Sequence, residues 1–315
     1  MNRSVIRLLL PLVALCYLGP AAAAEEDCRL KRAAALDMRI DEEGGATIPV
    51  TIGGQDLQML IDTGGMFSLM KPSIVEKLKL EQKSLPADQR YALMLYGHEF
   101  LNHYVDATDI VIGHMPAVPH KQFVLLPENR LPPETAGTIA PDFLQFFDAD
   151  FDFANEKFNI FLQKHCWGQV VYWADEGSYA VIPINLDHGA HIDMPVEIDG
   201  HRVKATLDTG SSRSLFSWEA ARRIFDIDEK SPGVKPLGDH GRYQYAFKTL
   251  TMKGEGDGVT ITVQNPDIAL VPDKTSGMTY AEPIIILGMG ILRQLHLYIA
   301  YKEKNLYVTP ASAHR

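Results

Sequence analysis

The chain has 315 residues, 46% of them apolar and 22% charged, with a formal net charge of −10. The apolar share supports a real core and excludes a disordered chain, and the length suits two lobes of about 120–150 residues. The acidic balance, with no run of Lys and Arg, excludes a nucleic-acid-binding surface.

The chain opens with a pattern that reads as a secretory signal, residues 1–24. Arg3 and Arg7 form its positive end, an apolar stretch follows, and four alanines lead into Glu25. Cleavage near Ala24 removes two basic residues and no acidic one, leaving a more acidic mature chain. The apolar stretch is short for a bilayer span, so a retained anchor is the lesser alternative. No second apolar span follows. Two cysteines remain, Cys28 and Cys166. In an exported protein such a pair reads as a disulfide tying the mature N-terminus to mid-chain; two unpaired thiols are the alternative.

The next feature is an internal repeat. At the fixed offset that sets Asp208 over Asp62, Leu36–Leu78 aligns with Ile182–Ile224 without a gap. Asp41 meets Asp187, Pro49 meets Pro195, Gly54 meets Gly200, Ser68 meets Ser214 and Leu69 meets Leu215. The Asp-Thr-Gly triplets coincide. Chance composition would supply about two or three identities over this stretch, against about ten present.

Both copies predict the same elements. "ATIPVTIGGQDLQMLID" is two β-rich runs about Gly53-Gly54, and "HIDMPVEIDGHRVKATLD" repeats this about Asp199-Gly200. Each hairpin's second strand ends at an aspartate. A short strand follows at Phe67–Met70 or Leu215–Phe216, then a brief helix, with Pro72 in its first turn in one copy and Ser217 as cap in the other. The copies close with β-rich segments, Phe147–Phe161 and Leu295–Val308. The expected organisation is a signal over 1–24, an N-terminal lobe over 25–164, a linker over 165–181 and a C-terminal lobe over 182–315. The fold class is mostly β, with few and short helices.

Other patterns carry less. His98 and His103 stand five apart on a strand-like segment, which does not fit the helical zinc-protease motif. No other histidine spacing suggests a ligand set, and no metal is expected. Asp148, Asp150 and Asp152 alternate along a strand and read as a solvated face. The tryptophans read as core or linker packing.

An apolar-apolar-Asp-Thr-Gly sequence in each half of one chain resembles the aspartic peptidases. The plan is similar to the two-lobed pepsin-type enzymes, and the short lobes resemble the retropepsin-type lobe fused in tandem, as in exported bacterial retropepsin-like peptidases. The resemblance implies a mostly β fold of two tandem, pseudo-symmetric acid-protease-like β-barrel lobes with a cleft between them, and an endopeptidase in which Asp62 and Asp208 share one proton, because close like charges resist double ionisation. The ionised partner would activate a water and the protonated one would donate to the scissile carbonyl. No cofactor or metal is implied, a monomer suffices, the substrate is a polypeptide, and the compartment is periplasmic or secreted. No membrane contact is expected after signal cleavage. Gly64 and Gly210 would bring backbone N–H groups to the carboxylates, and Thr63 and Thr209 would bond across to the opposite loop. Ser211 fits the position of a hydroxyl donor to the aspartate, whereas Gly65 cannot donate. On that asymmetry Asp208 would hold the negative charge and Asp62 the proton. The family's apolar-apolar-Gly turn has Gly288 in "IIILGMGIL" but Ala140 in "GTIAPDFL". Flap hairpins are expected at Tyr96-Gly97 and at Gly238, with an ordinary surface hairpin as the alternative. The departures at Gly65 and Ala140 favour the competing function, a catalytically weak or inactive peptide-binding module on the same fold.

Overall fold

A computed structural model describes residues 27–42, 44–87, 94–95, 99–187, 191–238, 241–256, 258–273 and 284–312. The expected signal segment, residues 1–24, lies outside these, as do Tyr96 and Gly97.

The two hairpins form as their turn residues dictate. Ala46–Ile52 pairs antiparallel with Gln55–Ile61, and His191–Ile198 pairs with His201–Leu207. Gly53 and Gly54 both take positive φ at the first tip, and Asp199 and Gly200 do so at the second. Two such residues match the right-handed twist of the flanking strands. In the first strand Ile48, Val50 and Ile52 are buried, the alternation of a sheet with one covered face.

Beyond the hairpins the halves follow one plan. Gln55–Ile61 runs parallel to Gly137–Ile139, which pairs antiparallel with Leu69–Met70, which in turn runs parallel to Lys121–Leu125. In the second half His201–Leu207 runs parallel to Ile284–Leu287, then comes Ser214–Ser217 antiparallel, then Ile268–Val271 parallel. Parallel neighbours require a crossover, and here the chain leaves each aspartate turn and comes back beside it. The helix Pro72–Leu78 starts on proline and Trp218–Phe225 is capped by Ser217, whose hydroxyl accepts from the Ala220 N–H. The short strand of the first copy begins at Leu69 rather than Phe67.

A six-stranded sheet joins the halves, in the order Arg32–Asp37, Lys157–Phe161, Asp148–Asp152, Leu295–Ala300, Asn305–Pro310, Ala180–Pro183. At its centre Phe151 stands opposite Leu297. One apolar cluster runs through both halves, from Ile48 and Phe151 to Leu207 and Leu297. A disulfide joins Cys28 to Cys166.

The expectation of a solvated face for Asp148, Asp150 and Asp152 is corrected. Their exposures are 0%, 0% and 7%. The segment after Phe161 folds over that face and supplies partners. His165 Nε2 lies 2.7 Å from Asp148, and Tyr172 donates to Asp150 at 2.6 Å. The other half adds His296 Nε2, 2.7 Å from Asp150. Trp173 stacks on His296 with ring centroids 4.2 Å apart. Trp167, also expected to pack, is 66% exposed.

Candidate active site

Asp62 and Asp208 each stand one residue beyond the end of a hairpin strand, at the start of the Asp-Thr-Gly turn. Each backbone N–H continues the ladder, Asp62 to the Ile139 carbonyl and Asp208 to the Leu287 carbonyl, both at 2.9 Å. The turns are therefore fixed to the strands that return beside them.

The turns meet through their threonines. The Thr63 N–H donates to Thr209 Oγ1 at 3.1 Å, and the Thr209 N–H donates to Thr63 Oγ1 at 3.0 Å. Each hydroxyl then donates across to the other half, Thr63 to the Leu207 carbonyl at 2.9 Å and Thr209 to the Ile61 carbonyl at 2.7 Å. Both threonines are fully buried. Four reciprocal hydrogen bonds, which use both amide N–H groups and both hydroxyls, make a rigid joint.

That joint sets the aspartates side by side, with their side chains hydrogen-bonded to each other. The glycines make the approach feasible. A methyl group on Gly64 would lie 2.3 Å from Asp208 Cγ, and one on Gly210 would lie 2.5 Å from Asp62 Oδ1. No other residue fits either position without moving a carboxyl group. Backbone N–H groups serve both acids. Gly64 donates to Asp62 Oδ1 at 3.1 Å, with Gly65 as a second donor. Gly210 and Ser211 donate to Asp208 Oδ1 at 2.9 and 3.1 Å.

Two expectations for this region need correction. The Ser211 hydroxyl donates to the Arg213 carbonyl at 2.8 Å, so only the backbone of Ser211 supports Asp208. The charge distribution inferred from that hydroxyl therefore loses its basis. Burial raises the proton affinity of both acids, and the neighbouring carboxylate raises that of Asp208 further, to about 8.

The departures at Gly65 and Ala140 fit together. A methyl on Gly65 would lie 2.7 Å from Asp62 Oδ2 and 3.4 Å from Ala140 Cβ. Gly288 has no such room, since a methyl there would lie 2.2 Å from the Arg213 carbonyl oxygen. Each half therefore places its bulk differently, as Ala140 in one and as Ser211 in the other. Ser68 and Ser214 hold these returns in place, accepting from the N–H of Ala140 at 3.1 Å and of Gly288 at 3.0 Å. The first-half serine is itself gripped by Asp142, which Lys121 Nζ reaches at 2.7 Å. The match of Ser68 with Ser214 at the fixed offset was the available signal for these two. Asp142 and Lys121 carried none.

The expected flap at Tyr96-Gly97 falls outside the described residues, although Met94–Leu95 and Glu99–Phe100 pair antiparallel on either side. Gly238 has φ +65 with open space around it. It follows Val234–Pro236, which pairs with Tyr243–Tyr245. Cys28 and Cys166 are bonded to each other in the six-stranded-sheet region, apart from the aspartates.

Residues 48–132 match the family model described as aspartyl protease. The crystal structure of basic 7S globulin from soybean matches with a TM-score of 0.54 over 90% of this chain and 96% of that chain. The fold is that of the pepsin-like aspartic proteases. At 11% identity the soybean likeness bears on fold alone. No curated protein sequence matches the chain. In this fold the paired turns at Asp62 and Asp208 bring two carboxyl groups side by side.

Proposed function

We propose that this chain is an exported aspartic endopeptidase with Asp62 and Asp208 as its catalytic pair. The observation that carries the reading is the juxtaposition itself: two carboxyl groups from equivalent turns, hydrogen-bonded together and locked by Thr63 and Thr209. In this reading Asp62 takes a proton from water as the water oxygen attacks the peptide carbonyl carbon. Asp208 gives its proton to the carbonyl oxygen, so the tetrahedral intermediate forms without net charge on it. Return of a proton to the amide nitrogen lets the C–N bond break. An extended polypeptide would lie across the paired turns between the two lobes, with backbone hydrogen bonds to flanking hairpins. The disulfide and the apolar start of the chain support export to an oxidising compartment.

Incubation with a mixed peptide pool from pH 3 to 8 tests the reading. Cleavage is expected from the native chain, and its loss from Asp62→Asn and from Asp208→Asn. Peptides that bind but emerge uncut at every pH would make the protein a peptide-binding module instead.

A further inference from the structure

We propose that one end of the six-stranded sheet, carrying Phe146, Leu162 and Trp167 among four cations, is a docking face for an anionic lipid bilayer. It departs from the expectation of no membrane contact. The peptide chemistry at Asp62 and Asp208 does not use this face, so the two readings stand or fall separately.

Among the described residues the exposed large hydrophobic side chains are Phe146 at 67%, Trp167 at 66%, Tyr172 at 50% and Leu162 at 41%. The fold gathers them. Phe161 is paired with Asp148 on one side and with Arg32 on the other. One residue further, the Leu162 N–H donates to the Lys31 carbonyl at 2.9 Å. Gln163 Nε2 donates to the carbonyls of Gln145 and Phe147 at 3.0 and 2.9 Å, on either side of Phe146. Cys166 is bonded to Cys28, with the two Cα atoms 4.5 Å apart, so its neighbour Trp167 joins the same end of the sheet. The Tyr172 ring packs on Phe161, with centroids 5.6 Å apart. Exposed apolar side chains scattered singly are ordinary, but a group of them in one place marks an interaction surface.

The charge here runs against the rest of the chain, which carries −10 overall. The same segments hold Arg29, Lys31, Arg32 and Lys164. The Arg29 side chain is 84% exposed and that of Lys31 42%, and Arg32 and Lys164 are exposed as well. Arg29 Nε and Lys31 Nζ both reach Asp27, at 2.8 and 2.7 Å, and one carboxylate offsets only one of them. Glu25 and Glu26 precede Asp27 outside the described residues. The other acids at this end face inward: Asp148 and Glu303 are buried, with His165 between them.

Two observations name the occupant. Aromatic side chains set among cations suit the headgroup boundary of a bilayer, where rings enter the apolar edge and Lys and Arg meet anionic lipid. The described chain also begins here, at Asp27, so the apolar stretch read within residues 1–24 joins the fold at this end. In the exported reading that stretch lies in the bilayer before it is cut away, and it delivers this end of the fold to the lipid surface. A second copy of the chain fits less well. A two-fold contact of this face with itself would set Arg29 and Lys164 against the same cations.

The test is fluorescence of the full chain with vesicles whose acyl chains are brominated, which quench a tryptophan seated among them. Residues 1–24 contain no tryptophan, so Trp167 reports this face and not the apolar leader. Trp167→Phe supplies the background from Trp173 and Trp218. Vesicles with about one-third anionic lipid are expected to quench Trp167, neutral vesicles far less, and about 0.5 M salt should abolish most of the difference. Arg29→Glu with Lys164→Glu should raise the lipid concentration needed for half-quenching roughly tenfold or more. Phe146→Ser with Leu162→Ser should raise it as well, since binding also scales with apolar area. All four side chains are exposed, so the denaturant midpoint serves as the check that the variants fold. A chain that sediments with the vesicles while Trp167 stays unquenched overturns the proposal, because the leader alone then holds it. Equal quenching by neutral and anionic vesicles overturns it too. So does light scattering that shows the lipid-free chain associating through this face, with Trp167 shielded, which would make the occupant a protein.

Discussion

At Gly65 the missing side chain has a steric consequence as well as a chemical one. A β-carbon there would press on Asp62 Oδ2 at 2.7 Å, while the Gly65 N–H serves the same carboxyl group. Gly65→Ser, which would install the hydroxyl seen at Ser211, is therefore expected to displace Asp62 and lower peptide turnover at least tenfold, read as kcat/KM. Asp208 gives a second prediction at this scale. Its folded-state proton affinity lies well above the ordinary value of 3.8, at about 8. A raised value means that its contribution to stability is fully present below about 3.8 and is lost as pH rises through about 8. The chain should thus lose stability between pH 4 and 8. Asp208→Asn should flatten that loss, measured as the denaturant midpoint at the two pH values. The triplets were legible as candidates because three turn-forming residues recurred in one context. The direction of the Ser211 hydroxyl was not, since it depends on where the Arg213 carbonyl lies after the chain turns.

Among the elements, the hairpins and the strands they feed were the most readable. Glycine or Asp-Gly at a two-residue tip between β-rich runs prescribes the turn with little help from elsewhere. Ser217 likewise announced the start of a helix, and its hydroxyl accepts from Ala220 while also bonding to Asp273. The joint between the two turns is a longer-range matter. Thr63→Val keeps the shape but removes the acceptor for the Thr209 N–H and the donor to Leu207. A buried amide left without a partner costs about 1–3 kcal/mol. Chemical denaturation should show a loss of that order. Turnover should fall further than stability alone explains, because the register of the two carboxyl groups loosens. Thr209→Val should behave alike.

Across the whole molecule, the six-stranded sheet carries both halves and a buried polar layer. Asp150 alone meets His296 from one half, and Tyr172 and Asn159 from the other side of the junction. The segment that covers this layer is anchored by the Cys28–Cys166 bond, which spans 138 residues of sequence. Cys166→Ser should lower stability by about 2–5 kcal/mol, with the expected signs being a lower melting temperature and faster proteolysis near residue 170. The amino-acid order by itself determined the two hairpins, the matched Asp-Thr-Gly turns and the mostly β character. These follow from turn chemistry and alternation within a few residues of chain. Only the tertiary structure decided that Asp148 and Asp150 are buried and that Ala140 fits beside Gly65. Each of those depends on atoms brought in from distant parts of the chain, and side-chain periodicity along one strand carries no record of what will come to cover it.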